Sequence, residues 1–328
     1  MTALTAIPPV LLHPLADRNG SPAALLLDAD PLQQAGALPT ILLRELAAGS
    51  MNCFYRAGVS ADVARELEEA GWKALVADKI HRAEQTLSKD QLPPGAAWVE
   101  GNWFLAMPPK PTGAQAASRA LALQLVQLVS ADADTHEIEA LLRQDPTLSY
   151  HLLRLVNSLG MGTGRRVTSF SQAILLLGRS QLRRWLNLML FSSREGDQRS
   201  AMLLARVAVR AHSMELLAKA MGEDKHHQEQ AFMVGMFSLL GVLFGMPLEE
   251  VLKPLTVSEA VQQALLSRAG ELGQLLQVVE AAERDDTVAL NASLQPLQIE
   301  ADTFNRIVTD AYLWMQGVAA GKAGSPHA

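Results

Sequence analysis

The spacing of apolar residues changes character near residue 110. Ahead of that point the runs are short. Ala24 to Leu27 is wholly apolar, Ala61 to Ala70 is amphipathic at helical spacing and closed by Gly71, and Trp72 to Ala77 is a short apolar run. A helical stretch from Arg82 to Lys89 and an aromatic run from Trp98 to Met107 follow. Short apolar runs alternating with helices predict βαβ-type order. The stretch Met107-Pro-Pro-Lys-Pro-Thr-Gly113 can continue neither a helix nor a central strand. It divides the chain into an α/β segment at 1–110 and a second domain at 111–320, with a disordered tail at 321–328.

Beyond the boundary every run is helical in period. Ala114 to Ser130, His136 to Gln144, Gln198 to Met221, Gln228 to Phe244, Leu248 to Leu255, Ser258 to Arg268, Leu272 to Arg284 and Asp302 to Gly317 all qualify. The fold class expected is mainly α: an all-α helical bundle preceded by a small α/β segment.

Between these runs lies the most informative block, Asp145 to Trp185. Asp145 can cap a helix whose first turn holds Pro146, and Leu148, Leu152, Leu155 and Val156 then share one face. Gly160, Gly162 and Gly164 end that helix; Thr168 or Ser169 can cap the next, which stops at Gly178. A third helix carries Arg179, Arg183 and Arg184 around Leu182 and Trp185. The order D-P-x-L-x-x-x-L-L-R-L-V-N-S, a glycine loop, then S-x-x-Q-A-I-x-L-L-G-x-x-x-L-R-x-W resembles the HDOD domain, a bacterial signalling module related to the HD phosphohydrolases. The resemblance implies a helical domain and a role in regulatory pathways, cyclic-di-GMP and two-component systems among them.

The run Leu75-Val-Ala-Asp-Lys-Ile-His-Arg-Ala-Glu-Gln85 and the later Val99-Glu-Gly-Asn-Trp-Phe-Leu-Ala-Met-Pro108 are similar to the last units of an EAL domain, the barrel of cyclic-di-GMP phosphodiesterases. A closed barrel of that kind needs roughly 250 residues, and far fewer precede the boundary. Where the family carries acidic metal ligands and a glutamine, this chain has His81 and Glu100. A literal Glu139-Ala140-Leu141 falls within a helical run. The first segment is therefore expected to be a truncated EAL-like remnant without catalytic activity.

The HD resemblance is tested in the same way. Arg210 to Met221 resembles the helix bearing the first metal-binding histidine of HD phosphohydrolases, which places His212 at that position. The next helix, Gly235-Met-Phe-Ser-Leu-Leu-Gly-Val242, keeps the frame but puts Ser238 and Leu239 where the family has its His-Asp doublet. Leucine cannot coordinate a hard cation, and one imidazole does not build a site. No catalytic residue, metal or cofactor is expected, and the chain is expected not to be an enzyme. Gly235 and Gly241 are expected to permit close helix packing.

Remaining chemistry is sparse. His226-His227 offers a conceivable weak transition-metal site, but adjacent helix residues do not face each other, so the pair reads as a solvated turn. Arg165 and Arg166 after the glycine loop, with Arg179, Arg183 and Arg184, could hold phosphate or dock an acidic partner. Asn157 is expected to hydrogen-bond the neighbouring loop, and Trp185 to pack in the core. The single cysteine, Cys53, excludes an intrachain disulfide and reads as a buried apolar residue. A net charge of -6 argues against a general nucleic-acid binder. Without an apolar run long enough to span a bilayer, no membrane role is expected and a cytoplasmic location is. The functional expectation is a signal-transduction protein acting through a regulatory protein partner. The alternatives are a sensor that binds cyclic-di-GMP or another nucleotide, and a nucleic-acid regulator using the Arg179 helix. Oligomeric state is not legible.

Overall fold

The computed structural model describes residues 7–85, 87, 92–107, 114–131, 133–142, 184, 186, 188 and 198–323. Six strands come first: β1 (Leu11–Ala16), β2 (Pro22–Asp28), β3 (Asn52–Arg56), β4 (Lys73–Leu75), β5 (Ile80–Arg82) and β6 (Trp98–Glu100). Helices α1 (Asp30–Ala35), α2 (Thr40–Ala47) and α3 (Ala61–Glu69) lie between them in sequence. Then come α4 (Ala114–Ser130), α5 (Thr135–Leu142), α6 (Ser200–Ala220), α7 (Lys225–Phe237), α8 (Leu240–Phe244) and α9 (Leu248–Leu252). The series ends with α10 (Glu259–Ser267), α11 (Gly270–Glu283), α12 (Thr287–Leu294) and α13 (Ala301–Ala323).

The strands form one sheet in the order β4-β3-β2-β1-β6-β5. β1 runs antiparallel to both of its neighbours, β2 and β6, while β2, β3 and β4 are mutually parallel and β5 is parallel to β6. Five strands therefore point one way, and their carboxyl ends share one end of the sheet with the start of β1. Pro14 sits inside β1, opposite Leu25 of β2. The β1–β6 pairing is recorded only at Ala16 and Val99, so a residue without an N–H is tolerated there.

Alternation along the strands sends side chains to two faces. Leu25, Leu27, Cys53 and Tyr55 join a hydrophobic core that continues through α2, α6, α7, α11 and α13, whereas Leu15, Ala24, Leu26 and Leu75 pack with Phe54, Ile80 and Trp98 on the other face. The Cys53 thiol is pushed up to about 12 by that burial. Three buried side chains of α13 tie the sheet to the helices. Asn305 accepts from Val10 N at 2.6 Å and donates to Pro8 O, Tyr312 donates to Leu12 O at 2.6 Å, and Gln316 accepts from Ser50 N at 2.6 Å.

The fold class expected from the sequence is corrected by this sheet. The chain is not a mainly α protein with a small α/β preface to an all-α bundle. It pairs a six-stranded mixed sheet with a helical region, and one hydrophobic core runs through both. Two strands escape a reading by apolar runs: His13 and Pro14 interrupt the leucines of β1, and β3 reads Asn-Cys-Phe-Tyr-Arg, with polar ends. The helix expected from Arg82 to Lys89 is likewise replaced at its start by β5, and the helix expected from Gln228 to Phe244 breaks between Phe237 and Leu240. No described helix is long and apolar enough to cross a membrane.

Candidate functional site

At the carboxyl ends of the parallel strands, charged residues take over from the apolar face of the sheet. Arg56 follows Phe54 on one side of β3, Glu100 follows Trp98 on β6, and Arg82 follows Ile80 on β5. Below them Phe54 and Trp98 pack with ring centroids 5.3 Å apart. Arg56 Nη2 donates to Glu100 Oε1, although β2 and β1 lie between their strands. Three inter-strand steps amount to about 14 Å in a flat sheet, so the contact requires the sheet to curl. Arg82 Nε donates to Glu84 Oε1 at 2.9 Å, and its guanidinium is held above its ordinary range by Glu84 and then Glu100. His13 Nε2 lies 2.9 Å from Asp285 Oδ1 in the turn after α11. Gly101, at φ 104°, ends β6 where a Cβ would lie 2.2 Å from Ala83 O.

These charges differ in exposure. The side chains of Arg56 and Arg82 are 50% and 72% exposed, and that of Glu100 only 13%. Two guanidiniums therefore reach solvent beside a shielded carboxylate. His81 alternates away from this face, opposite Val99.

The helical region holds a second polar centre, and it is closed. Arg210 of α6 donates from Nε to Glu283 Oε1 at 2.9 Å, from Nη2 to Glu283 Oε2, and from Nη1 to Ser238 Oγ at 2.8 Å. Ser238 Oγ donates in turn to Gly235 O at 2.6 Å. Arg206 Nη1 approaches Glu283 at 3.3 Å. Burial raises the Glu283 carboxyl, but Arg210 and Arg206 outweigh it and leave the group below its ordinary range. Arg210 shifts the opposite way: burial lowers it, Glu283 and Glu280 raise it, and the net is upward.

His212, two residues after Arg210 and so on the other side of α6, stacks on Trp314 at 4.7 Å and places Nδ1 3.0 Å from Glu215 Oε2. Glu215 also accepts from Arg184 Nη1 at 3.1 Å, and the Arg184 guanidinium lies 4.3 Å over the Phe232 ring. Its carboxyl is raised by burial and lowered more strongly by His212 and Arg184. Leu239 is buried. At Gly235 a Cβ would lie 2.5 Å from Ala211 Cα, so its absence lets α7 press against α6; at Gly241 it would lie 2.9 Å from Met246 O. The metal set of an HD phosphohydrolase does not fit here. A guanidinium already neutralises the buried carboxylate, and Ser238 is committed to it.

An opening of about 260 Å³ lies beside Arg184, lined by Val129 and Ser130 of α4, Phe232, Met233 and Met236 of α7, and Val257 before α10. It is largely apolar and near the small end of ligand sites. His226 also lines it.

Of the residues singled out in the sequence, the structure brings His212, Ser238 and Arg184 to these two polar clusters. Asp145, Asn157, Arg165, Arg166, Gly178, Arg179, Arg183 and Trp185 lie outside the described residues. Sequence reasoning missed Arg56, His13 and Asp285, which no motif marks. It noted Glu100 but not its partner.

Residues 117–278 match the HDOD domain. A protein of Vibrio cholerae named cyclic di-GMP phosphodiesterase CdgJ is 31% identical over 199 residues, which is 60% of this chain and 46% of that protein. YuxH of Bacillus subtilis is 31% identical over 148 residues, 44% of this chain and 36% of that protein. The matched part thus spans under half the length of either relative. A crystal structure from Shewanella amazonensis SB2B aligns over 63% of this chain and 93% of its own at 16% identity, with a TM-score of 0.42, too slight a likeness to assign the fold. The kinship with a protein named a phosphodiesterase overturns the expectation that the chain is not an enzyme. That expectation rested on Ser238 and Leu239 at one doublet and on His81 and Glu100 in one strand pair, and a few positions do not decide the activity of a whole chain.

Proposed function

We propose, from the HDOD domain at residues 117–278, that this chain works in cyclic-di-GMP turnover and signalling, and that the carboxyl end of its sheet receives the dinucleotide. The observation that carries the reading is the Arg56–Glu100 contact beside the exposed Arg82. A guanidinium matches a phosphodiester, and also the O6 and N7 acceptors of guanine. A shielded carboxylate accepts from the N–H groups on the other edge of the same base. Exposed Arg56 can turn from Glu100 to a ligand at small cost, because a surface pair is worth roughly 0–1 kcal/mol. The carboxyl ends of parallel strands are also where barrel enzymes build their sites. The resemblance of the β5 and β6 sequences to the last units of an EAL barrel supports this placement.

Calorimetry of the full chain with cyclic-di-GMP, combined with chromatography of the incubated nucleotide, tests the reading. Saturable binding below about 100 μM, weakened by Arg56→Ala and by Arg82→Ala, supports it; linear dinucleotide in the same samples adds turnover by this chain. No heat and no product at that concentration refutes it.

A second reading has its own observation. The opening beside Arg184 is floored by Met233 and Met236, and methionines adapt to varied partners. It would seat an apolar side chain of a regulatory protein, through which the HDOD domain would relay its signal. Met233→Glu, at the half-buried methionine of the pair, should then abolish regulation by that partner and leave dinucleotide binding unchanged.

A further inference from the structure

We propose that Glu223, His227 and Glu271 form a binding site for a divalent transition-metal ion that ties the start of α7 to the start of α11. Among the described residues this is the group of three His, Cys, Asp or Glu side chains whose ligand atoms all lie within 4.8 Å of one another. Glu223 stands just before α7, four residues ahead of His227, and Glu271 lies in the first turn of α11. Glu223 lies outside the helix, ahead of the extended N-cap Asp224, and the chain reversal there brings its carboxylate to within 3.8 Å of His227, while the third ligand comes from a different helix.

The imidazole sits between the two carboxylates without bonding either. His227 Nδ1 is 3.8 Å from Glu223 Oε2, and His227 Nε2 is 3.8 Å from Glu271 Oε1. Neither is a hydrogen bond at that separation. Moreover, His227 Nε2 and Glu271 Oε1 are both shielded from solvent and have no hydrogen-bond partner. Two facing polar atoms so placed are costly unless something lies between them. Two ligands bonded to one tetrahedral zinc lie about 3.4 Å apart, so a shift of a few tenths of an ångström brings Nε2 and Glu271 to that separation, and the Glu223 side chain has to turn from Nδ1 toward the same ion.

The donor set selects the ion. One imidazole and two carboxylates suit zinc and its neighbours, whereas calcium and magnesium prefer oxygen alone. The two carboxylate charges balance a divalent cation, and three protein ligands leave a fourth position for water. His226, next along the chain, lines the opening beside Arg184 instead. The adjacent histidines thus diverge, and only His227 joins the cluster. This is not the HD frame, whose matching positions hold His212, Ser238 and Leu239. It also lies at the opposite end of α11 from Asp285, about 20 Å along the axis, so it stands or falls independently of dinucleotide binding.

Full-length protein stripped with chelator and titrated with zinc or cobalt(II) tests the site, by calorimetry and by the visible absorption of cobalt. One equivalent should bind. His227→Gln and Glu271→Gln should each weaken binding at least about tenfold, by analogy with the losses seen when a supporting partner is removed, while His226→Gln should not. Zinc should raise the melting temperature of the parent chain and not that of His227→Gln, since binding to the native state alone stabilises it. Circular dichroism confirms that each variant is folded. Absence of saturable binding at about 100 μM zinc, or binding unchanged in both ligand variants, would leave an imidazole between two carboxylates and overturn the proposal.

Discussion

Arg56 with Glu100 at the end of the sheet, and Arg210 with Glu283 between α6 and α11, are the same two residue types in two different solvents. The first guanidinium is 50% exposed and the second 6%, while the two carboxylates are shielded alike, at 13% and 16%, so the difference lies in the arginine. In water the pair is cheap to break and remake; in the interior each charge depends on the other. The outer pair is thus suited to exchanging a partner for a ligand. The inner pair is suited to holding three helices in one arrangement.

Cutting the inner pair should give the largest effect. Glu283→Gln strands the Arg210 guanidinium and should cost about 3–5 kcal/mol, read from chemical denaturation. Replacing both residues by Met and Leu should recover most of that loss, because the cost lies in an unpaired buried charge. If the double variant is as unstable as the single one, the contrast drawn between the two pairs fails. The same pair sets an acid limit. Glu283 has a folded value below its ordinary 4.5. Its stabilisation is therefore complete above about pH 4.5, the unfolded value, and is lost as pH falls through the lower folded one. In Glu283→Gln that part of the acid slope should vanish.

Next in size is Gly235→Ala. A Cβ there would lie 2.5 Å from Ala211 Cα and 2.9 Å from Ala211 N, and both are backbone atoms. The helices must separate, at about 1–3 kcal/mol. The melting temperature checks this, and an unchanged value would mean that α6 and α7 are less tightly held than the geometry implies.

How much of this was legible depends on the range over which residues signal one another. Helices declare themselves within a few positions, so α4, α6, α10 and α11 fall close to where the 3.6-residue period puts them. β1 does not, because His13 and Pro14 break its apolar run and the strand is defined by pairing with β2 across a turn. The inner pair is less legible still. Arg210 and Glu283 are 73 residues apart, and no local spacing links them. Ser238 was visible as a departure from the HD pattern, but its partner Arg210 was not. The Glu223–His227 spacing is present in the sequence, but Glu271 comes from a different helix 44 residues further on, and no local pattern links it to them.

The smallest effect on stability should come from the outer pair, and there the comparison is sharpest. Arg56→Ala removes a half-exposed guanidinium and opens the shielded Glu100 carboxylate to the water that takes its place, so stability should change by no more than about 1 kcal/mol. If the carboxyl end of the sheet receives the dinucleotide, the same substitution should weaken cyclic-di-GMP binding by about tenfold or more, since a guanidinium bond to a charged oxygen contributes roughly 1.5–3 kcal/mol. Arg56→Lys should restore only part of it, because an ammonium lacks the two-pronged donor geometry. A variant that loses stability but keeps binding would reverse the assignment and make Arg56 a structural clasp on the curled sheet, as Arg210 is for the helices.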